Sequence, residues 1–191
     1  MPKKQLVFLS GTRKVERLPG EVTELLEEFI ASGDKFIVGD APGSDTAFQR
    51  YLVKQRVNKV VVYSSASHVR NNLGNWPSQF VDSGLKTKTN AMHAAKDRRM
   101  AQLCDLSIAI WDGQSAGTLA NVLDVIDQGK TAFLYNYLEH ELVKFDNQDP
   151  LLAYLDAFAE IREMAQKRLK RDRKRRKKQG VNQSQCPDTL F

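Results

Sequence analysis

The sequence predicts an α/β protein with a Rossmann-like, doubly wound, mainly parallel five-stranded sheet between flanking helices. Short segments that are almost continuously apolar alternate with longer segments whose apolar residues recur at helical spacing. Glycine and proline separate many of these segments. The chain has 191 residues, of which 41% are hydrophobic, so we expect one buried core with an appendage.

The five predicted strands are short apolar runs with turn residues near their ends. They cover residues 5–10, 35–38, 58–63, 106–111 and 131–135. Runs of this length are typical of buried strands and too short for independent helices. Between the third and fourth strands, residues 64–89 are polar and show no sustained period. That segment is predicted to be a long functional loop.

Amphipathic helices are predicted between the strands and after the last one. They cover residues 21–31, 44–56, 91–103, 116–128 and, beyond Pro150, 151–169. From these patterns we divide the chain into three parts. A folded domain covers residues 1–145, a C-terminal helix covers 146–170, and a disordered basic tail covers 171–191.

Positive charge is concentrated near the C-terminus. Residues 167–178 read KRLKRDRKRRKK and carry +9, whereas the whole chain carries +6, so the remainder carries −3. This segment is either a solvated continuation of the preceding helix or an arm that binds DNA or RNA nonspecifically. The residues assigned to such an arm are Lys170, Arg171, Arg173, Lys174, Arg175, Arg176, Lys177 and Lys178.

Other features narrow the classes of protein to consider. The longest apolar runs are too short to cross a membrane or to form a signal peptide, so a cytoplasmic location is expected. The three histidines lack ligand spacing, and we expect neither a metal nor a cofactor. The chain ends in Leu190-Phe191, which resembles peptides that dock on bacterial sliding clamps but is equally an ending that chance provides.

Four loops follow the carboxyl ends of predicted strands, where parallel sheets bind their ligands. They are residues 11–13, 39–45, 64–89 and 112–118. In residues 112–118, glycines allow close approach to the backbone, and the following helix start offers free N–H groups to an anion. The alternative is an ordinary turn in which Ser115 caps the helix. Residues 39–45 form a second opening of this kind, and Arg13 can pair with a phosphate.

The candidate ligand-binding and phosphate-binding residues come from these loops and from one helix. They are Gly11, Arg13, Gly39, Asp40, Gly43, Ser44, Asp45, Lys96, Asp112, Gly113, Ser115, Gly117 and Thr118. Asp45 and Asp112 are also candidate catalytic carboxylates, since a carboxylate can transfer a proton or stabilise positive charge.

Five short motifs, taken in order, resemble the SLOG superfamily. They are SGTR at residues 10–13, GDAPGSD at 39–45, KDRRM at 96–100, CDLSIAIWDG at 104–113 and SAGT at 115–118. That superfamily includes the DprA/Smf DNA-processing proteins, the YspA-like proteins and the LOG phosphoribohydrolases. The resemblance covers residues 5–136 and implies a Rossmann-like sheet that binds a nucleotide or nucleotide sugar, often in a homodimer.

The resemblance also assigns roles to single residues. Gly11 and Arg13 correspond to the family's G-x-R, the glycines and Asp45 of residues 39–45 to its G-G-x-x-G-x-D, and Gly117-Thr118 to its phosphate-holding G-T. Two departures bear on catalysis. Lys96-Asp97 replace Arg-Asn or Arg-Lys, and Asn121 replaces the glutamate of the hydrolytic LOG branch. An amide cannot accept a proton as a carboxylate does.

We therefore expect the protein to bind or sense a nucleotide-derived small molecule, with a basic arm that contacts nucleic acid. One alternative is a nucleotide N-glycosidase or deoxyribosyltransferase-like enzyme that uses a different carboxylate. A second alternative is a DprA-like DNA-processing protein in which the cleft itself contacts DNA.

Overall fold

The computed structural model describes residues 3–66, 68–82 and 90–179. It confirms the α/β fold and shows a sheet of seven strands where the sequence predicted five. The strands are β1 (Leu6–Gly11), β2 (Lys35–Gly39), β3 (Val60–Ser64), β4 (Ser78–Phe80), β5 (Leu106–Trp111), β6 (Thr131–Asn136) and β7 (Glu141–Phe145). Their order is β4-β3-β2-β1-β5-β6-β7, and every neighbouring pair is parallel except β6 and β7.

The two unpredicted strands lie at the edges of the sheet, where the apolar signal is weak. β4 has three residues, two of them exposed, and lies within the segment predicted to be a loop. β7 is mostly exposed or half-buried and pairs with β6 through a short antiparallel connection. Edge strands bury less surface than central ones, so their sequences need not be uniformly apolar.

The sheet is covered by helices on both faces. The helices are α1 (Gly20–Ser32), α2 (Ser44–Lys54), α3 (Asn90–Leu103), α4 (Ala116–Ile126), α5 (Gln148–Tyr154) and α6 (Ala159–Gln179), with a 3-10 turn at Leu155–Phe158. Side chains alternate along β1, so Val7 packs with α1 and α2 while Phe8 packs with α3, α4 and α6. This arrangement forms one apolar layer on each face.

In the C-terminal region, the ends of the helices differ from the predicted boundaries. The predicted helix over residues 146–170 is divided into α5, the 3-10 turn and α6, and α6 continues to Gln179 where a disordered tail was predicted to begin at residue 171. α6 packs along α4 and buries Ala165, Leu169 and Asp172. Residues 180–191, which include Leu190-Phe191, lie outside the described residues.

Across the described ranges, no helix is both long enough and apolar enough to cross a membrane.

Candidate functional site

The strand order reverses between β1 and β5. From β1 the chain adds β2, β3 and β4 on one side, and then returns to place β5, β6 and β7 on the other. Crevices at such reversals, beside the carboxyl ends of the strands, are the usual ligand sites of open α/β sheets. Here a cleft of about 420 Å³ opens at that position. It is lined by Gly11, Thr12, Arg13, Lys14, His93, Asp97, Asp112, Gln114, Ser115, Gly117, Thr118, Asn121 and Arg168.

Asp112 shapes the loop between β5 and α4. Its Oδ1 accepts the backbone N–H groups of Gln114 at 3.1 Å and Ser115 at 2.7 Å, and its Oδ2 accepts the Thr12 hydroxyl at 3.0 Å. Burial raises the pKa of Asp112, but these hydrogen bonds outweigh it, so the pKa lies below its ordinary value. The carboxylate is therefore ionised and committed to the turn. This geometry does not favour the predicted catalytic role.

Ser115 caps α4 and leaves two N–H groups of the first turn available. Its Oγ accepts the Thr118 N–H at 3.3 Å and the Thr118 hydroxyl at 3.0 Å. Among the described residues, no acceptor contacts the N–H groups of Ala116 or Gly117. The cap and the anion site were alternatives at the sequence level. The structure contains the cap and still leaves donors at the positive end of the helix dipole.

Arg168 reaches this helix start from α6. A Cβ placed on Gly117 would lie 2.8 Å from Arg168 Nη1, so the absence of a side chain at Gly117 is what admits the guanidinium. Arg13 lines the same cleft, and the charge of Arg168 also acts on Asp97 and Asp172. Sequence reasoning missed Arg168, because one cation in a basic run carries no signal of where its side chain points.

The loop between β2 and α2 packs against the loop that follows β1. Ser44 Oγ and the Ser44 N–H both donate to the Thr12 carbonyl, at 2.7 and 3.1 Å. Gly43 has a φ of +82°, and a Cβ there would lie 2.3 Å from the Arg13 carbonyl oxygen. Gly39 is equally confined, since its Cβ would lie 2.2 Å from Asp45 Oδ2.

These contacts separate the predicted phosphate-binding residues into two groups. The cleft brings together Gly11, Arg13, Asp112, Ser115, Gly117 and Thr118. Gly39, Asp40, Gly43 and Ser44 do not line it. Gly43 and Ser44 pack against the loop after β1, Gly39 lies against Asp45, and Asp40 pairs with Arg70. Gly113 has a φ of +74° and lies against Leu138, which makes it a turn residue.

A smaller chamber of about 60 Å³ shares five lining residues with the cleft. It also contains Lys96, whose Nζ lies 3.0 Å from Asp97 Oδ1 and 3.7 Å from Asp45 Oδ2. Burial raises the pKa of Asp45 more than Lys96 lowers it, whereas the charges of Lys96 and Arg98 outweigh burial at Asp97 and lower its pKa. The Ser10 hydroxyl also lines the chamber and is buried without a hydrogen-bond partner among the residues that the structure describes.

Asp40 is fully buried and pairs with Arg70. The guanidinium donates from Nε to Oδ2 at 3.0 Å and from Nη2 to Oδ1 at 2.6 Å, and the Ser64 hydroxyl donates to Oδ2 at 3.0 Å. Burial alone raises the pKa of Asp40, but the Arg70 hydrogen bonds and the charge of Lys96 lower it below its ordinary value. The predicted ligand residue Asp40 therefore anchors Arg70, which lines the chamber.

His93 is a second lining residue that sequence reasoning did not assign to the site. Its Nδ1 lies 2.9 Å from Ser65 Oγ, and it borders both the cleft and the chamber. Burial and the nearby charges of Arg70 and Arg13 lower its pKa, so the imidazole is neutral at pH 7. No group of three or more His, Cys, Asp or Glu side chains suited to a metal occurs within the ranges described.

The predicted nucleic-acid arm is a helix with two different sides. Lys170, Arg171, Lys174 and Arg175 are exposed. Arg173 instead pairs with α4, donating to Asp124 Oδ1 at 2.7 Å and lying 3.0 Å from Asp127 Oδ2. Arg173, which was assigned to the arm, therefore also contributes to the packing of α6 on α4. The side chains of Arg176, Lys177 and Lys178 lie outside what the structure describes.

Among solved structures, the fold is similar to that of DNA processing protein A from Helicobacter pylori, a structure described as giving insight into the single-stranded DNA binding mode of that protein. The TM-score is 0.51 and the sequence identity is 17%, over 85% of this chain and 80% of that chain. At this identity the similarity shows a common fold, which agrees with the fold that the SLOG resemblance implied. No model of a protein family matches the sequence, and no curated protein matches it.

Proposed function

We propose that the cleft between β1 and β5 binds the phosphate group of a nucleotide-derived ligand. The observation that carries the proposal is the meeting of Gly117 and Arg168, which puts a guanidinium beside the open first turn of α4. Backbone N–H groups at a helix start and an arginine are complementary to the oxygens and charge of a phosphate. Arg13 adds a second cation to the lining of the same cleft.

The size and lining of the cleft are consistent with a ligand larger than phosphate alone. Its volume of about 420 Å³ lies within the range of about 300–1,000 Å³ that is common for small-molecule sites. The adjoining chamber presents the Ser10 hydroxyl and the Lys96–Asp97 pair, which can hydrogen-bond to polar groups on a sugar or base. These groups support binding of a nucleotide.

The carboxylates near the cleft already have partners within the protein, which favours binding of the ligand over its cleavage. Asn121 contributes an amide to the cleft wall, and Arg98 donates to its Oδ1. Asp112 is used by its own turn, and Asp45 and Asp97 share Lys96. An N-glycosidase needs a carboxylate that is free to assist departure of the base. Release of free base by the protein would restore the enzyme alternative.

Isothermal titration calorimetry with adenosine and deoxyadenosine monophosphate, and with the matching nucleosides, tests the proposal. We expect the monophosphates to bind and the nucleosides to bind at least tenfold more weakly. Arg168→Gln removes a charge-assisted hydrogen bond of about 1.5–3 kcal/mol and is expected to weaken monophosphate binding at least tenfold. Lys54→Gln, which removes an exposed cation near the end of α2, is the control. Equal binding by wild type and Arg168→Gln would contradict the proposal.

A second candidate function, nonspecific nucleic-acid binding, is favoured by the exposed cations of α6. Lys170, Arg171, Lys174 and Arg175 form a charged surface on a helix without aromatic residues, which suits binding to a phosphate backbone rather than to bases. The fold is also that of a protein described as binding single-stranded DNA. Retention on a heparin or DNA column, lost in the combined Lys170→Gln and Lys174→Gln variant, tests it.

A further inference from the structure

Arg168 belongs to both of the positively charged features of this protein. Its guanidinium lines the cleft beside Gly117, while its backbone lies on the helix that carries the exposed basic surface. We propose that the cleft and α6 form one site for the end of a single-stranded nucleic acid, with the terminal phosphate monoester in the cleft and the following phosphates along α6. This inference rests on the proposed phosphate-binding function of the cleft.

The direction of α6 makes such a path possible. Arg168, Arg171 and Arg175 are spaced i, i+3 and i+7, so they lie on one side of the helix, about 5–6 Å apart for each turn. The charges of all three, like that of Arg98, act on the carboxyl group of Asp172. Arg168 lines the cleft, and Arg171 and Arg175 are exposed on the following turns of α6.

The chemistry of the cleft favours a terminal phosphate over an internal one. A phosphate monoester carries about −1.5 to −2 charges at pH 7 and three free oxygens, whereas an internal diester carries one charge. The available N–H groups of the α4 start, together with Arg13 and Arg168, can engage several oxygens at once. The end of a strand therefore gains contacts that an internal phosphate cannot make.

The lining of the cleft also suits the end of a strand. His93, Asp97 and Asn121 line both the cleft and the chamber of about 60 Å³, so the two spaces adjoin. The cleft volume of about 420 Å³ lies within the range that is common for sites of single small molecules, and one nucleotide is a ligand of that class. We therefore expect a strand to place its terminal nucleotide, unpaired, in the cleft.

Fluorescence anisotropy with the full chain tests the inference. The probes are 12-nucleotide oligodeoxythymidine and oligouridine strands with a 5′-phosphate, a 3′-phosphate or hydroxyl groups only, each labelled at the end away from the phosphate. We expect one phosphorylated form to bind at least fivefold more tightly than the hydroxyl form. A preference at either end, and in either DNA or RNA, supports the inference. Equal affinity for all forms overturns it.

Two classes of variant separate the parts of the site. Arg168→Gln and Gly117→Val are expected to abolish the preference for the phosphorylated end, so that phosphorylated and hydroxyl-ended strands bind each variant with equal affinity. Gly117→Ala is a second, smaller change at the same position. Lys174→Gln is expected to weaken binding of all strands equally. Thermal melting of each variant ensures that a lost preference is not caused by unfolding, and a preference that survives in both cleft variants contradicts the inference.

The outcomes also distinguish the inference from the proposed function. If nucleoside monophosphates bind in the cleft but the end of a strand has no effect, the cleft is a small-molecule site and the inference is wrong. If monophosphates do not bind at all, the proposed function itself fails.

Discussion

The loops at residues 39–45 and 112–118 are similar in sequence but different in use. Each follows a parallel strand, contains glycine, serine and aspartate, and begins a helix. In the first loop, Gly43 and Ser44 lie directly against the loop after β1, whereas Ala41 and Asp45 border the chamber of about 60 Å³. In the second loop, Gly117 lies against the flexible end of Arg168 and borders an open cleft.

The difference shows what a glycine pattern can and cannot indicate. Glycine permits close approach to the backbone, but the approaching group can be a ligand or another part of the same protein. The two cases are distinguished by the atom that lies closest to the position of a Cβ built on the glycine. At Gly43 that atom belongs to the rigid backbone of Arg13, whereas at Gly117 it belongs to a side chain that can move.

The largest effect is expected from Gly43→Val. The substitution imposes a positive φ on a β-branched residue and places its Cβ 2.3 Å from the Arg13 carbonyl oxygen. Backbone strain and overpacking cost about 1–3 kcal/mol each, so we expect the free energy of unfolding to fall by about 4 kcal/mol. Urea denaturation of the variant and the wild type measures this change in the free energy of unfolding. A loss below about 1 kcal/mol would mean that this loop is not packed as described.

A smaller, pH-dependent effect is expected from Asp40→Asn. Because the folded-state pKa of Asp40 is below its ordinary value, ionised Asp40 stabilises the fold above the unfolded pKa of about 3.9, and this contribution is lost as pH falls through the folded value. We expect a loss of about 2 kcal/mol at pH 7. The difference from wild type should narrow below about pH 4. A difference that is constant with pH would exclude this linkage.

Substitutions at two adjacent residues of α6 are expected to have different effects, one on stability and the other on nucleic-acid binding. Arg173→Ala removes the ion pairs to Asp124 and Asp127 and is expected to cost about 1 kcal/mol of stability, because the arginine is partly exposed. Lys174→Ala should leave stability unchanged but reduce the slope of log affinity against log salt by about 0.7 for single strands. Unchanged stability in Arg173→Ala, or an unchanged salt slope in Lys174→Ala, would contradict the assignment of the two sides of α6.

A small effect on stability is expected from Gly117→Ala. The added methyl group meets only the end of the Arg168 side chain, and alanine is favoured over glycine in a helix by up to about 1 kcal/mol. We therefore expect the free energy of unfolding to change by less than about 1 kcal/mol. Monophosphate binding should nevertheless weaken, which calorimetry on the same variant measures. Full retention of binding would place the phosphate elsewhere.

The central part of the fold could be predicted from the sequence because buried parallel strands have a strong apolar signal. β5 was predicted to the residue, and the starts of α4 and β6 were also correct. β4 and β7 could not be recognised in this way, since their pairing stabilises residues that remain partly exposed. The length of α6 was missed because its basic composition suggests disorder, whereas packing on α4 and the pairing of Arg173 stabilise it.

The candidate site was predictable only in part. The motifs indicate which loops lie at the carboxyl ends of strands, and the cleft does contain Arg13 and Gly117. Sequence periodicity cannot show that Arg168 returns to the same cleft from a helix about 50 residues later, because that contact depends on tertiary packing. It also cannot show that Ser44 is already used by Thr12.

The most direct test of the difference between the two loops is an NMR titration of the ¹⁵N-labelled protein with deoxyadenosine monophosphate. Binding at the α4 start should shift the amide signals of Ala116 and Gly117 in a saturable manner. The amide of Ser44, which donates to the Thr12 carbonyl, should remain unchanged. Saturable shifts at Ser44 without shifts at Gly117 would contradict the assignment of the open cleft as the phosphate site.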